Sequence, residues 1–451
     1  MNPADRYGAC LEAAVLETSA AREPRRMKEL ELQAHWFAGD FGRDFRTTAG
    51  EAVRIIQFGV WNREAGPDFA EAAISLNNGE PRRGCIEIDP TDRDWERHAH
   101  AQNPAYESVV LHVFTRAGPG EFFTRTATHR NVPQVLLDLE KMDQANPVSL
   151  PEARPGRCLA PLGRLPEDKA KEILLGAARF RLRRKTVALA RLAECHGPDE
   201  ALYQALAATL GYKSNKLPFT LLAQRLPLRL MRRSNADALL FGVSGFLPSG
   251  ALSDFDLPTR AYLRGLWEEW WPRRAEFERP AIAPDLWKMS GQRPANHPQR
   301  RVAALAQMIR QWPQIRALSE ACEPKAIHEF FDGIRDPYWD FHWTVTSKTA
   351  ARRMALVGES RVTDMLANVF FPLAIARDEK RWIGFENLRA PLANQRVEVA
   401  AQRLFGDSPR GPAFLKSAAL QQGLLQIYED FCLRDATDCM HCPFPEQVAK
   451  W

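Results

Sequence analysis

Nowhere does this chain of 451 residues run apolar for the roughly 20 residues a bilayer-spanning helix needs, so no membrane partner is expected. Cysteine is scarce, eight in all with five of them scattered, which excludes the disulfide framework of short secreted domains. A strong excess of one charge is also missing. The 61 Lys and Arg against 56 Asp and Glu leave +5, which permits an anionic partner without demanding one. No P-loop is present, so any ATP-driven motor would be a separate protein. The opening "MNPADRYGACLEAAVLETSAAREPRR" has acids at Asp5 and Glu12 and no basic-then-apolar export pattern, so a cytoplasmic location is expected. What is there, 45% hydrophobic and 26% charged residues, describes a globular protein, and the length points to two or three domains.

Residues 1–24 read as an extension. Between 25 and 145 the pattern is mixed α/β. "MKELELQAHWF" spaces Leu30, Ala34 and Phe37 on one helical face, and "AVRIIQFGVW" (52–61) is rich in β-branched and aromatic residues, as strands are. "AEAAISL", "GCIEID", "VVLHVFTR" and "PQVLLDL" follow as further strands, with "NNGEP" as a hairpin loop. From 146 to 451 helical periodicity dominates, and the Pro-rich "WWPRRAEFERPAIAP" offers a division near 270–290. The expected fold class is an α+β module on a mixed sheet followed by a mainly α-helical region.

The chemistry concentrates in "GPDFAEAAISLNNGEPRRGCIEID". Side chains alternate along a strand, so Glu87 and Asp89 share one face while Ile86 and Ile88 take the other. The hairpin folds Asp68 back towards Glu87. Three carboxylates on one sheet edge repel unless a cation sits between them, and such oxygen ligands suit Mg²⁺ or Mn²⁺. The alternative is that Asp68 caps a turn and the other two acids form a solvated strand face.

Pro67-Asp68, then eighteen residues, then Glu87-Ile88-Asp89 resembles the PD-(D/E)XK nuclease signature, with Asp89 where that superfamily usually has Lys. The resemblance implies that Asp68 and Glu87 hold the metal, joined by the Ile88 carbonyl. Asp89 would complete the shell or orient the attacking water, and Glu31 on the first helix would be a further ligand. Over more of the chain, "NREAGPDFAEAAI", "GCIEIDPTDRDWERHAHAQNPAYESVVLHVF", "ALGYKSNKLPFTLLAQRLPL", "RPANHPQRR" and "DPYWDFHW" resemble blocks of an uncharacterised bacterial family, a domain of unknown function. That second resemblance implies no activity.

His98, His100 and His112 lie just downstream, and imidazole can move protons near neutral pH or bind a softer metal. His98 and His100 share a face only if their segment is extended. On a strand, His112 sits with Val110 and Phe114. One reading has a histidine protonate the leaving group or touch phosphate; the other makes His112 a hydrogen-bonded core residue and the rest packing groups.

A cationic helix, "ARFRLRRKTVALARL", carries Arg179, Arg181, Arg183, Arg184, Lys185 and Arg191, candidates for a nucleic-acid backbone or for a solvated face. Arg293, Arg300 and Arg301 mark a helix start that suits a phosphate or simple surface exposure. "DPYWDFHW" offers either base stacking or a packed aromatic cluster. At the C-terminal end Cys432, Cys439 and Cys442 suggest a soft metal, zinc or an iron–sulfur cluster, unless they are unmetallated thiols. Their spacing is similar to part of the iron–sulfur loop of endonuclease III-type glycosylases. This chain has Val448 where that loop has its fourth Cys, so His441 or Cys158 would supply the missing ligand.

Together these features lead to an expectation of a Mg²⁺- or Mn²⁺-dependent nuclease whose partner is nucleic acid, DNA foremost. The competing expectation is a non-catalytic nucleic-acid-binding or protein-interaction module with a degenerate nuclease-like fold.

Overall fold

A computed structural model describes residues 2–17, 29–62, 66–139, 160–212, 214–248, 250, 252–278, 281–290, 294–390, 393–406, 408, 411–432 and 442–451. Helix α1 (Pro3–Glu17) is followed by α2 (Glu29–Phe37), then β1 (Asp44–Arg46), β2 (Ala52–Gln57), β3 (Val60–Trp61), β4 (Phe69–Leu76) and β5 (Arg82–Thr91). A short α3 (Asp94–Arg97) leads to β6 (Val109–Arg116) and β7 (Gln134–Leu136), and the remainder is helical, beginning with α4 (Glu167–His196), α5 (Pro198–Gly211) and α6 (Lys216–Arg225).

The strands form one mixed sheet of order β1-β2-β4-β5-β6-β7, with β3 paired to β4. β4 and β5 are an antiparallel hairpin, whereas β5 to β6 and β6 to β7 are parallel. Asn77 and Asn78 turn the hairpin, both in left-handed conformations that asparagine tolerates. The stretch expected as one strand over 52–61 is instead two. Gly59 breaks it at φ +90°, where a Cβ would stand 2.5 Å from the Ala70 carbonyl oxygen. The three-residue β1 lay outside the sequence expectation because it is too short to show alternation.

Ile86 and Ile88 face the core with Leu111 and Val113, as the alternation requires. The opposite face is covered as well. Beneath α3 lies a small cluster of Trp95, Tyr106, Val109 and Val132, and Glu87 and Asp89 are buried at 5% and 1% exposure. The solvated strand face is thereby corrected.

A single apolar core runs from Leu32, Trp36 and the sheet into the helical region. Phe277, Ile282 and Trp287 belong to it, so the core does not divide near 270–290. The expected boundaries at 24 and 145 lie outside the described residues. A second core joins α1, α4 and the C-terminal helices around Tyr7, Leu174 and Trp451. Among the described residues no helix is long and apolar enough to cross a membrane.

Candidate metal centre

The site begins where β4 and β5 lie side by side, Phe69 opposite Ile86. The Asp68 backbone N–H donates to Glu87 Oε2 (2.8 Å), and the Ile88 N–H donates to Asp68 Oδ2 (3.1 Å). Asp68 and Glu87 therefore do meet, and each commits one oxygen to clasping the two strands. A bulge shifts the register between Phe69 and Ala72, with Glu71 left-handed at φ 56°, and bends β4 beside the site.

Two residues further along β5, Asp89 is held from behind. His112 Nε2 lies 3.2 Å from Asp89 Oδ2, and His112 Nδ1 lies 2.7 Å from Thr124 Oγ1, which also accepts from Gln134 Nε2 (2.8 Å). In the tautomer that lets Asp89 accept, Nε2 donates to it and Nδ1 accepts from the Thr124 hydroxyl. His112 is fully buried, so it orients Asp89 and is closed to substrate.

From the other side come His98 and His100. His98 Nδ1 stands 3.4 Å from Asp89 Oδ1, and His100 Nε2 stands 3.2 Å from Glu87 Oε1. Helix α3 ends before His98, and Ala99 turns the backbone left-handed (φ 58°, ψ 29°). That turn brings the two rings to 5.3 Å although the segment is not extended. His100 is fixed by a 3.9 Å stack on Tyr106 and an edge contact with Trp95, and the Tyr106 hydroxyl donates to the Gly66 carbonyl. Asp89, His98 and His100 each offer a ligand atom within 4.8 Å of the others. His98 forms the open rim, its side chain 37% exposed.

Charge at the site is predominantly negative. Asp92 and Asp94 are bound into the fold through the N–H groups of Gly118 and Thr91, and Arg97 pairs with Asp94 at 2.7 Å. Burial, then the charge of Asp89, raises the Glu29 carboxyl pKa; His98 lowers it and Asp94 raises it further. Glu29, on the first turn of α2, is thus an acid of that helix whose charge couples to the cluster. Sequence reasoning named Glu31. Two ligands sharing one ion at about 2.0–2.2 Å stand roughly 3 Å apart, close to the 3.2 and 3.4 Å separations here. The residues fit a divalent ion, with imidazole among the donors.

The cationic candidates fare differently. Arg181 turns into the protein against Gln422, Gln426 and Glu429, the last at 2.6 Å. Lys185 donates to Asn368 Oδ1 (2.6 Å) and Gln422 Oε1 (2.7 Å), and burial, then the Arg181 charge, pushes its ammonium pKa well down. Arg300 is wholly buried and donates to the carbonyls of Trp339, His342 and Ala355, while Arg301 donates to that of Leu356. These four are corrected as nucleic-acid contacts: Arg300 and Arg301 are buried, and half-buried Arg181 and Lys185 turn their charged ends to partners within the fold. Arg183 is exposed and paired with Asp5, and Arg184 is half-buried beside Phe180. Arg293 lies outside the described residues.

"DPYWDFHW" is a packed cluster: Trp339 is fully buried, and Tyr338 stacks between Tyr262 and His342 at 4.1 and 3.8 Å. Cys432 is buried in the second core and Cys442 packs against it. Cys439, His441 and Cys158 lie outside the described residues.

A family model described as "Protein of unknown function (DUF2851)" matches residues 29–386, most of the chain. No curated protein and no solved structure matches it.

Proposed function

From a chain that belongs to the DUF2851 family, whose description assigns no function, we propose a metal-dependent hydrolase that cleaves nucleic-acid phosphodiesters, DNA foremost, with Mg²⁺ or Mn²⁺ as its ion. The supporting observation is the gathering of Asp68 and Glu87 where β4 meets β5, with Asp89 next along β5 beside His98 and His100 and oriented by buried His112. Asp89, His98 and His100 would hold the ion, with Glu87 and Asp68 beside them. A divalent ion bound there supplies Lewis acidity to a phosphoryl oxygen and lowers the pKa of a coordinated water. The protein's own part is positional. His112 and Thr124 hold Asp89 in position, Tyr106 holds the His100 ring, and His98 on the open rim would meet a phosphate or a leaving oxygen. Arg93 and Arg97, exposed around the same helix, would be the cations to meet a phosphate backbone.

Cleavage of labelled single- and double-stranded DNA and RNA, with and without Mg²⁺ or Mn²⁺, tests this. Asp89→Asn and Glu87→Gln should each lower the rate about 100-fold or more while the thermal melt stays cooperative. The strand clasp made by Asp68 and Glu87 favours the second reading, a non-catalytic nucleic-acid-binding or protein-interaction module. Salt-sensitive binding indifferent to Mg²⁺ and to Asp68→Ala, without cleavage, would select it. Zinc or an iron–sulfur cluster at Cys432, Cys439 and Cys442 is a separate proposal, tested by metal analysis of the purified chain against a triple Cys→Ser variant.

A further inference from the structure

We propose that Asp89, His98 and His100, with Glu87 at their side, form a nitrogen-containing site selective for a first-row transition-metal dication over Mg²⁺. The inference rests on the reading of this cluster as the metal centre and goes beyond it in naming the class of ion. Mg²⁺ is a hard ion that keeps its waters and takes carboxylate oxygens, whereas Fe²⁺ and Zn²⁺ suit imidazole, and Mn²⁺, the hardest of that first-row series, binds nitrogen less strongly than they do but more readily than Mg²⁺. Here two imidazoles occupy the space around Asp89 and Glu87, His98 Nδ1 at 3.4 Å from one carboxylate and His100 Nε2 at 3.2 Å from the other. Each separation suits two ligands of one ion, and Asp89, His98 and His100 offer ligand atoms within 4.8 Å of one another.

The surroundings have the build of a ligand shell. Metal-binding carboxylates and imidazoles are oriented by partners behind them. Asp89 has the buried His112, Thr124 and Gln134 in series. His100 has the Tyr106 ring at 3.9 Å, itself tied by its hydroxyl to the turn before Asp68. The left-handed Ala99 holds both histidines on the ion's side. Left-handed backbone is uncommon for a non-glycine residue and persists only where the surroundings impose it. His98 leaves the site open to solvent on one side, as an exchangeable ion and a substrate require.

The test uses the full chain, stripped with EDTA and titrated separately with MnCl₂ and MgCl₂ by calorimetry, followed by pulsed EPR of the Mn²⁺-loaded protein. Mn²⁺ is chosen because it has little affinity for thiolates, which keeps the C-terminal cysteines out of the measurement. The expected result is one Mn²⁺ per chain, bound at least about tenfold more tightly than Mg²⁺, with ¹⁴N couplings from imidazole that weaken in His98→Ala. His98 is on the rim, so that variant should fold, and His100→Gln serves as the second variant. Absence of Mn²⁺ binding, Mn²⁺ bound without ¹⁴N coupling, or Mg²⁺ bound equally well would each overturn the site. Nitrogen-coupled Mn²⁺ with no phosphodiester cleavage would sink the nuclease reading and leave this inference standing. Mg²⁺-supported cleavage untouched by His98→Ala would do the reverse.

Discussion

At the scale of single residues, the position of a charge matters more than its identity. Glu87 and Asp89 were legible as a pair because strand alternation places them on one face beside two core isoleucines. Their burial was not, because it depends on α3 and the following turns folding over that face. Glu200 shows what burial does to an acid outside the site. Desolvation lifts its carboxyl pKa from 4.5 to about 7, although Leu228 N–H and Gln204 bond to it. The folded state therefore holds this proton more tightly than the unfolded chain. Its contribution to stability is complete below pH 4.5 and is lost as pH rises through about 7. Glu200→Gln, which cannot titrate, should match the parent near pH 4.5 and exceed it by about 3 kcal/mol above pH 7. Urea denaturation at pH 5 and pH 8 checks this; an equal difference at both would refute it.

At the scale of elements, helix α4 is the clearest case of a pattern read correctly in outline and wrongly in orientation. Its span agrees with the periodicity of "EDKAKEILLGAARFRLRRKTVALARLAEC". Which cations lie inside was hidden, since Arg181 and Lys185 meet partners, Gln422 and Glu429, far along the chain. The close approach is set by Gly423, where a Cβ would collide with the Leu174 backbone. Arg181→Met should destabilise by about 3 kcal/mol, because it leaves Glu429 buried with Arg396 at 3.6 Å and the charge of Lys185 in place of its closest partner. It should leave the salt dependence of any DNA binding unchanged. A shallower salt slope with unaltered stability would put Arg181 back on a nucleic-acid surface. Two local π-turns, at Leu366–Phe370 and Tyr428–Cys432, also escaped sequence reasoning, since an inserted residue leaves helical periodicity nearly intact.

At the scale of the whole molecule, the sheet does not stand alone. Phe37 stacks on His196 at 3.9 Å, Gln224 donates to the Ala34 carbonyl, and Arg225 lies over Trp61 at 5.1 Å. Residues 29–139 expressed by themselves should therefore lack a cooperative thermal transition, while the full chain melts the sheet and the helices together. A cooperative melt of the fragment by circular dichroism would show that the shared core is dispensable. The sequence by itself determined the class of fold, the hairpin, the parallel pair of strands as strands, and the acids on one face, because periods of 2 and 3.6 and turn chemistry are local. Only the tertiary structure decided that His98 and His100 come to Asp89 and Glu87, that His112 stands behind them, that Arg300 and Arg301 are interior, and that Arg181 and Lys185 meet partners within the fold. Those outcomes depend on a left-handed turn at an alanine and on contacts between residues distant in the chain, neither of which leaves a periodic trace.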